Sequence, residues 1–228
     1  MIPIFVVRFR NPKTEDRCIE AVRKYADPKF YPLVVLDNGI LDESLAVVWN
    51  RMIDLYDWSG DPDPAFVLLN TDAFLEDDAT LPIMERALRA DPLHGFVGPM
   101  TDNAGSNQKI DSPKWTNQNA DDLGVPGGRW HGAVIRDEYI SGFCLMVRKL
   151  AWKQAGRFPE DGPFYGQESA LIWKGMSIGW RTVMCLDTFV EHLGGATCKK
   201  YLNQDEERAR GGEWFADFRA RDYDRGKS

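Results

Sequence analysis

The sequence predicts an α/β fold in which a mixed, mostly parallel central sheet carries helices on both faces. Apolar runs rich in β-branched residues alternate three times with segments whose apolar residues recur at helical spacing. The runs are short, as expected for strands buried in a sheet. Such alternation is typical of parallel sheets, because successive parallel strands need a crossover connection, which is usually a helix.

The first three strand and helix units fill the N-terminal 90 residues. Their strands are predicted at residues 2–9, 31–36 and 65–69, which are apolar and rich in β-branched residues. Each strand precedes a segment with apolar side chains three or four residues apart, which indicates an amphipathic helix. The apolar stripes consist of Cys18, Val22 and Tyr25, of Leu41, Leu45, Val48, Met52 and Leu55, and of Leu81, Met84 and Leu88.

The rest of the chain is less regular. Residues 101–136 are rich in Asn, Asp, Gly and Pro, so we expect a long loop that is functional or mobile. We predict one domain over residues 1–200 and a charged tail over residues 201–228, in which a short amphipathic helix docks on the body or closes over a site. Other predicted elements are strands at 96–100, 139–148 and 182–186 and a helix at 167–178.

Composition excludes several classes of protein. The 228 residues carry 28 Lys and Arg against 35 Asp and Glu, a net charge of −7 that argues against general binding to duplex DNA. The apolar runs are far shorter than the roughly 18 residues of a membrane span, and the first run stops at Arg8 without a cleavage site. We therefore expect a cytoplasmic protein without an integral membrane segment. Its scattered cysteines are interpreted as reduced thiols: Cys18, Cys144, Cys185 and Cys198.

One candidate site follows the third predicted strand. The sequence has neither a G-x-G-x-x-G fingerprint nor a Walker-type loop, which disfavours dinucleotide oxidoreductases and P-loop nucleoside triphosphatases. Instead, Asn70-Thr71-Asp72 ends a buried strand, where ligands of open α/β sheets bind. A carboxylate there suits Mg²⁺ or Mn²⁺ whose shell is completed by substrate phosphate oxygens. The alternative interpretation is a turn that merely ends the strand.

Five short motifs occur in a particular order along the chain. They are Asp37-Asn38-Gly39, Asn70-Thr71-Asp72, Ser141-Gly142-Phe143, Gly166-Gln167-Glu168 and Glu191-His192-Leu193-Gly194-Gly195. Together they make the sequence resemble the GT-A (Rossmann-like) fold glycosyltransferases, particularly the family 2 type that includes rhamnosyltransferase-like enzymes. The resemblance covers roughly residues 1–200. It implies an inverting, Mn²⁺- or Mg²⁺-dependent hexosyl- or deoxyhexosyl-transferase that moves a sugar from a nucleoside-diphosphate sugar to an acceptor hydroxyl.

The resemblance assigns residues 1–100 to the nucleotide-sugar donor. Asp37 would contact the nucleobase, and Asn70 and Asp72 would occupy the first and last positions of an Asp-x-Asp type metal motif. His192 would join the metal shell or touch the diphosphate, although it could equally cap a loop. We expect Arg8 and Arg10 to bind the diphosphate through charge-assisted hydrogen bonds, unless they are solvated surface charges. The other expected donor residues are Asn38 and Thr71.

The resemblance assigns residues 101–200 to the acceptor, and Glu168 to the catalytic base. Many relatives read Glu-Asp-x-Asp-Leu where this chain reads Gln-Glu-Ser-Ala-Leu, so Glu168 could also be an ordinary first-turn carboxylate favoured by the helix dipole. Asp102 and Asp161 are the next carboxylates to consider. Trp115, Trp130 and Tyr165 are candidates for stacking on acceptor sugars, with core packing as the alternative.

Several alternatives stay open at this stage. The acceptor could be a glycan, a lipid-linked glycan, a protein, a small metabolite or a modified nucleic acid, and the oligomeric state is undetermined. A nucleotidyltransferase would also use a metal-bound carboxylate, but Phe9-Arg10-Asn11-Pro12 does not resemble its glycine-rich basic loop. A non-catalytic nucleotide-sugar or carbohydrate-binding protein of the same fold is the second alternative, motivated by the thinned acidic motif.

Overall fold

An eight-stranded mixed sheet forms the centre of the molecule. The computed structural model describes residues 1–109, 134–136, 139–196 and 203–225, with side chains up to residue 221 and none for 134–136. Within these residues the strands are β1 (Ile4–Arg8), β2 (Leu33–Asp37), β3 (Ala65–Leu69), β4 (Ala73–Leu75), β5 (His94–Met100), β6 (Val134–Arg136), β7 (Cys144–Arg148) and β8 (Arg181–His192). The helices are α1 (Pro12–Tyr25), α2 (Leu45–Leu55), α3 (Thr80–Arg89), α4 (Lys149–Gln154), α5 (Gln167–Ser177) and α6 (Gln204–Arg225).

The sheet is mostly parallel, as the sequence predicted. Its strand order is β2-β1-β3-β7-β5-β8-β4, and β6 pairs with β8 outside this path. Strands β1, β2, β3, β5 and β8 run in one direction, whereas β4, β6 and β7 run in the other. Because β7 is antiparallel to both of its neighbours, its first residue lies at the same edge of the sheet as the last residues of β3 and β5.

Helices cover both faces of the sheet, because alternate residues of each strand point to opposite sides. Phe5 and Val7 of β1 belong to one buried cluster, which also contains side chains of α2, α4 and α5. Ile4 and Val6 belong to a second cluster, with side chains of α1 and α3. The apolar stripes predicted for the first three helices supply much of this core, namely Cys18, Val22, Val48, Met52, Leu81, Met84 and Leu88.

The boundaries of several elements differ from those predicted. Strand β7 begins at Cys144 rather than residue 139, because Gly142 and Phe143 form a turn. Strand β8 continues to His192, six residues beyond the prediction, since its far end pairs with the short strand β4. Helix α2 begins at Leu45, and Leu41 lies exposed before it. Strands β4 and β6 and helix α4 were not predicted from the sequence.

The tail forms helix α6, which packs against α5 through aromatic side chains. Phe218 contacts Trp173 of α5 at a ring distance of 6.2 Å and Trp214 at 5.4 Å. None of the helices in the described part of the chain has both the length and the apolar composition to cross a membrane. Cys18, Cys144 and Cys185 are buried free thiols, and burial raises the pKa of Cys144 to about 12. Cys198 lies outside the described residues.

Candidate functional site

A cleft of about 1030 Å³ lies at the edge of the sheet where strand ends converge. It is lined by Val7 near the end of β1, by the last residues of β3 and β8 and by the residues just before β7, together with the loops that precede α2 and α5. Parallel strands end at one edge, so motifs far apart in sequence meet there. Of the candidate ligand-binding and catalytic residues named from the sequence, the cleft is lined by Arg10, Asn38, Asn70, Thr71, Asp72, Tyr165, Glu168 and His192.

Asp72 and His192 form a close, buried pair in this cleft. Nε2 of His192 lies 3.5 Å from Oδ1 of Asp72, and the two side chains are only 13% and 8% exposed. Asp72 lies between β3 and β4, directly before Ala73, and His192 is the last residue of β8, opposite Ala73 in the ladder between β4 and β8. The pairing of β4 with β8, which has no counterpart in local sequence pattern, is therefore what brings the two residues together.

The imidazole of His192 is held in one orientation. Its Nδ1 lies 2.6 Å from the carbonyl oxygen of Asn103, and because a carbonyl only accepts hydrogen bonds, Nδ1 carries the proton. The ring stacks on Phe143 at 4.8 Å with a 17° angle between the planes. Oδ1 of Asp102 accepts a hydrogen bond from the backbone N–H of His192, so this carboxylate anchors the strand end.

This orientation leaves two electron-pair donors facing each other. With Nδ1 protonated, the lone pair of a neutral imidazole at Nε2 points toward the carboxylate of Asp72, so a cation placed between the two atoms would be stabilised by both. A histidine whose other nitrogen donates to a carbonyl is the usual arrangement of a metal ligand. Asp72 and His192 therefore fit Mn²⁺ or Mg²⁺, provided that a substrate supplies further oxygens.

Opposing effects act on the carboxyl group of Asp72. Burial raises its pKa. The hydrogen bond and charge of His192 lower the pKa, and so does the backbone N–H of Ala196, which donates to Oδ2 at 2.9 Å. Together these interactions outweigh the effect of burial. The net result is a pKa below the usual range, so Asp72 is ionised at neutral pH. Within the described ranges, no group of three or more His, Cys, Asp or Glu side chains is arranged to hold a metal.

Glu168 also lines the cleft, in the first turn of α5. Gly166, just before α5, has φ +103°, a left-handed backbone conformation that residues with a side chain rarely adopt. The turn at Gly166 brings the start of α5 to the cleft. Gly142 abuts Glu168 so closely that a Cβ on Gly142 would lie 2.5 Å from Cγ of Glu168. Burial raises the pKa of the Glu168 carboxyl, and its own backbone N–H lowers it by less. A raised pKa suits a group that exchanges protons near neutral pH.

Of the two arginines expected to bind the donor, only Arg10 lines the cleft. Arg8 does not line the cleft, because Nε donates to the buried Glu15 at 2.9 Å and Nη2 to Asp16 at 3.2 Å. Glu15 is fixed in turn by accepting the N–H groups of Phe9 and Asn11. Arg10 lines the cleft instead, at φ +58°, with Nη2 3.3 Å from Asp42.

The second predicted donor motif shapes a loop at the cleft margin. Asp37 is exposed and outside the lining, and its Oδ1 accepts a hydrogen bond from the N–H of Gly39. Asn38 lines the cleft, but its amide binds the backbone of Glu43 through both its nitrogen and its oxygen. Asn70 and Thr71 also line the cleft, and none of the described residues hydrogen bonds with their side chains.

The acceptor candidates are only partly within the described residues. Tyr165 lines the cleft, whereas Trp115 and Trp130 lie outside the residues that the structure describes. Asp161 is exposed away from the cleft and lies 3.8 Å from Arg221. A third wall of the cleft is formed by residues of α6 that the sequence analysis did not single out: Glu207, Arg208 and Arg210. The aromatic stripe of the tail pointed to docking of this helix, but no motif marked its arginines.

The fold is similar to that of solved glycosyltransferases. The mannosyltransferase PcManGT from Pyrobaculum calidifontis, in complex with GDP-Man and Mn²⁺, matches with a TM-score of 0.57 and 12% identity over 84% of this chain and 56% of its own. GalNAc-T7 with UDP, GalNAc and Mn²⁺ matches with a TM-score of 0.59 and 10% identity over 84% of this chain and 43% of its own.

A third structure gives the same result. The catalytic domain of Drosophila β1,4-galactosyltransferase 7, in complex with xylobiose, matches with a TM-score of 0.54 and 10% identity over 84% of this chain and 70% of its own. The chain spans about half the length of the first two structures. No protein-family model and no curated protein matches the sequence. The chain therefore has the GT-A fold that its sequence motifs predicted, and its structural neighbours are glycosyltransferases.

Proposed function

We propose that the protein is an inverting glycosyltransferase that moves a hexosyl or deoxyhexosyl group from a nucleoside-diphosphate sugar to an acceptor hydroxyl. One observation carries this proposal: a buried Asp72–His192 pair and the carboxyl group of Glu168 line one cleft at the strand ends of a GT-A fold. The neighbours bound to GDP-Man with Mn²⁺ or to UDP with Mn²⁺ support a nucleotide-sugar donor and a divalent cation.

Asp72 and His192 are the residues that would hold Mn²⁺ or Mg²⁺. The bound ion would stabilise the negative charge that develops on the departing nucleoside diphosphate. Asp72 contributes a carboxylate that is ionised at neutral pH, and His192 contributes Nε2, which the hydrogen bond from Nδ1 to Asn103 aims at Asp72. Stacking on Phe143 prevents the ring from turning away.

Glu168 would act as the general base. In an inverting transfer, a carboxylate removes the proton from the acceptor hydroxyl as its oxygen attacks the anomeric carbon. Glu168 comes from α5 and Asp72 from the turn between β3 and β4, so different elements of the fold carry the base and the phosphate-binding pair. A carboxyl group whose pKa is raised by burial is a stronger base once it is ionised.

The rest of the cleft divides into a donor and an acceptor side. Residues 1–100 would bind the donor, with Asn70 and Thr71 offering polar side chains beside Asp72, and Arg10 taking the place expected of Arg8. Asp37 at the margin has one carboxylate oxygen bound to Gly39 and would offer the other to the nucleobase. On the acceptor side, Tyr165 presents an aromatic ring that suits the apolar face of a sugar.

The decisive experiment is a calorimetric screen of nucleotide sugars with and without Mn²⁺, followed by a test for release of nucleoside diphosphate. We expect at least one donor to bind only with the metal, and to be consumed when an acceptor is present. Replacing Asp72 by Asn should weaken this binding by about tenfold or more. Even the loss of a group that only hydrogen bonds to a metal ligand lowers metal affinity roughly 10- to 100-fold. The exposed Asp78→Asn is the matched control and should bind as the wild type does.

Two results would count against the proposal. Equal donor affinity of Asp72→Ala in excess EDTA and of the wild type with Mn²⁺ would show that the metal assignment is wrong. Donor binding without any release of nucleoside diphosphate, across a wide panel of glycan, lipid-linked and protein acceptors, would favour a non-catalytic nucleotide-sugar-binding protein.

A further inference from the structure

Among the described residues that line the cleft, one cation has no acidic partner. Its lining includes three arginines, of which Arg10 lies 3.3 Å from Asp42 and Arg210 pairs with Glu207 on the same helix. Arg208 is exposed, and no carboxylate among the described residues forms an ion pair with it. In a chain of net charge −7, a cation that faces a cleft unneutralised is available to an anionic ligand.

Arg208 is nevertheless held in position. Its guanidinium carbon lies over the ring of Tyr165, 5.9 Å from the ring centre. The hydroxyl of Tyr165 accepts a hydrogen bond from Nε2 of Gln204, one turn earlier in α6, at 3.2 Å. A guanidinium placed over an aromatic face keeps N–H donors free for a phosphate or carboxylate.

The Tyr165 contact also places α6 next to the candidate metal pair. Gly195 packs against Tyr165, since a Cβ on this glycine would lie 3.0 Å from the tyrosine hydroxyl oxygen. Gly195 lies three residues after His192, and the next residue, Ala196, donates its backbone N–H to Asp72. The helix that carries Arg208 is therefore joined, through Tyr165 and Gly195, to the segment that closes over Asp72.

We propose that α6 is part of the substrate site and that Arg208 binds a phosphate group of a substrate. This inference rests on the proposed function, and it adds a residue from a helix outside the part of the chain that resembles known glycosyltransferases. The phosphate belongs either to the diphosphate of the donor or to a phosphorylated acceptor. Both offer the same oxygens to the guanidinium, and the experiment distinguishes them.

The first test compares Arg208→Gln with Arg219→Gln. Arg219 is a matched control, because it lies on the same helix over the ring of Trp173 at 5.7 Å but does not line the cleft. The probes are UDP and GDP with Mn²⁺ in calorimetry, and an array of phosphorylated glycans beside their dephosphorylated forms. A charge-assisted hydrogen bond to phosphate supports an expected loss of roughly 10- to 100-fold for Arg208→Gln and no loss for Arg219→Gln.

The second test moves the helix without touching its charges. A Cβ on Gly211 would lie 2.7 Å from the carbonyl oxygen of Tyr165, whereas a Cβ on the neighbouring Gly212 would meet nothing within 4 Å. Gly211→Ala should therefore displace α6 from the cleft and weaken binding of the same probe by at least several-fold. Gly212→Ala should bind as the wild type does, because it changes the same helix at an open position.

Each outcome decides the matter. Loss of nucleoside diphosphate binding in Arg208→Gln assigns the residue to the donor, and loss only of phosphorylated glycan binding assigns it to the acceptor. The inference is overturned if Arg208→Gln and Arg219→Gln bind every probe equally well, or if the wild type binds neither kind of probe. A wild type that binds phosphorylated glycans but no nucleotide would contradict the proposed glycosyl transfer while leaving the role of Arg208 supported.

Discussion

Gly142 lets the proposed base occupy its position, and replacing it by Ala should disable the enzyme without unfolding it. A Cβ at this residue would lie 2.5 Å from Cγ of Glu168 and 2.9 Å from both Cβ and Cδ. Ordinary contacts begin at 3.4 Å, so Glu168 must move by about 0.9 Å. Rotation of the side chain alone does not relieve the clash, because the Cβ of Glu168 is fixed by the backbone of α5.

The size of the effect follows from this displacement. A shift of about 1 Å in a reacting group costs roughly 100-fold in rate, because proton transfer needs the base within hydrogen-bonding distance of the acceptor hydroxyl. We expect kcat of Gly142→Ala to fall by about this factor, while donor affinity, which we assign to Asp72 and His192, stays within about twofold. The assay is nucleoside diphosphate release with the donor and acceptor identified by the screen.

Two controls make this expectation sharp. Gly105 lines the same cleft, but a Cβ on it would meet nothing within 4 Å, so Gly105→Ala should keep near-wild-type kcat unless the substrate fills that space. In the Glu168→Gln background, Gly142→Ala should cost little more, because the base that it displaces is already lost. Equal losses from Gly142→Ala in the wild-type and Glu168→Gln backgrounds, or full activity of Gly142→Ala, would refute the reasoning.

Further expectations concern Glu168 and a buried arginine. Glu168→Gln should lower kcat by roughly 100-fold or more at unchanged donor affinity, and the acidic limb of the wild-type kcat/KM profile should lie above the usual glutamate range, because burial raises this pKa. A raised pKa in the folded state means that the stabilising contribution of Glu168 is lost as pH rises. The melting temperature of Glu168→Gln, measured by calorimetry, should therefore exceed that of the wild type at pH 8. Near pH 4 the two melting temperatures should be similar. The same difference in melting temperature between Glu168→Gln and wild type at pH 8 and pH 4 would contradict the raised pKa. Arg148 donates hydrogen bonds from Nε to the carbonyl of His94 at 3.0 Å and from Nη2 to the carbonyl of Leu88 at 2.8 Å. Arg148→Met should therefore lower the free energy of unfolding by about 3 kcal/mol and Tm by on the order of 10 °C. Arg89→Met, which is more exposed, should lower Tm by much less.

The sequence contains most of the fold because the relevant signals are local. Periodicities of about 3.6 and 2 residues record which side chains face the core, so the stripes of α1, α2 and α3 and the apolar runs of β1 and β3 could be predicted directly. Polar motifs that end these strands converge on one edge as a consequence of parallel topology. The resemblance to GT-A glycosyltransferases, rather than strand topology, is what assigned His192 and Glu168 to the same site as Asp72, although up to 120 positions separate the three residues.

Other features depended on contacts between distant segments, which local patterns do not encode. The sequence offers Arg8 and Arg10 as equivalent cations, but the buried Glu15 binds Arg8, and the left-handed backbone at Arg10 turns that residue into the cleft. The orientation of His192 depends on a carbonyl 89 residues away.

The same is true of the third wall of the cleft. Helix α6 has charged residues around most of its surface, and its position is set by the packing of its aromatic residues on α5 and by the close approach of Gly211 to Tyr165. Sequence alone therefore determined most of the strands and helices and the polar motifs beside them, because neighbouring side chains dictate these. Only the tertiary structure decided which cations face the cleft, because that choice depends on which distant backbone and carboxylate groups each arginine meets when the chain is packed.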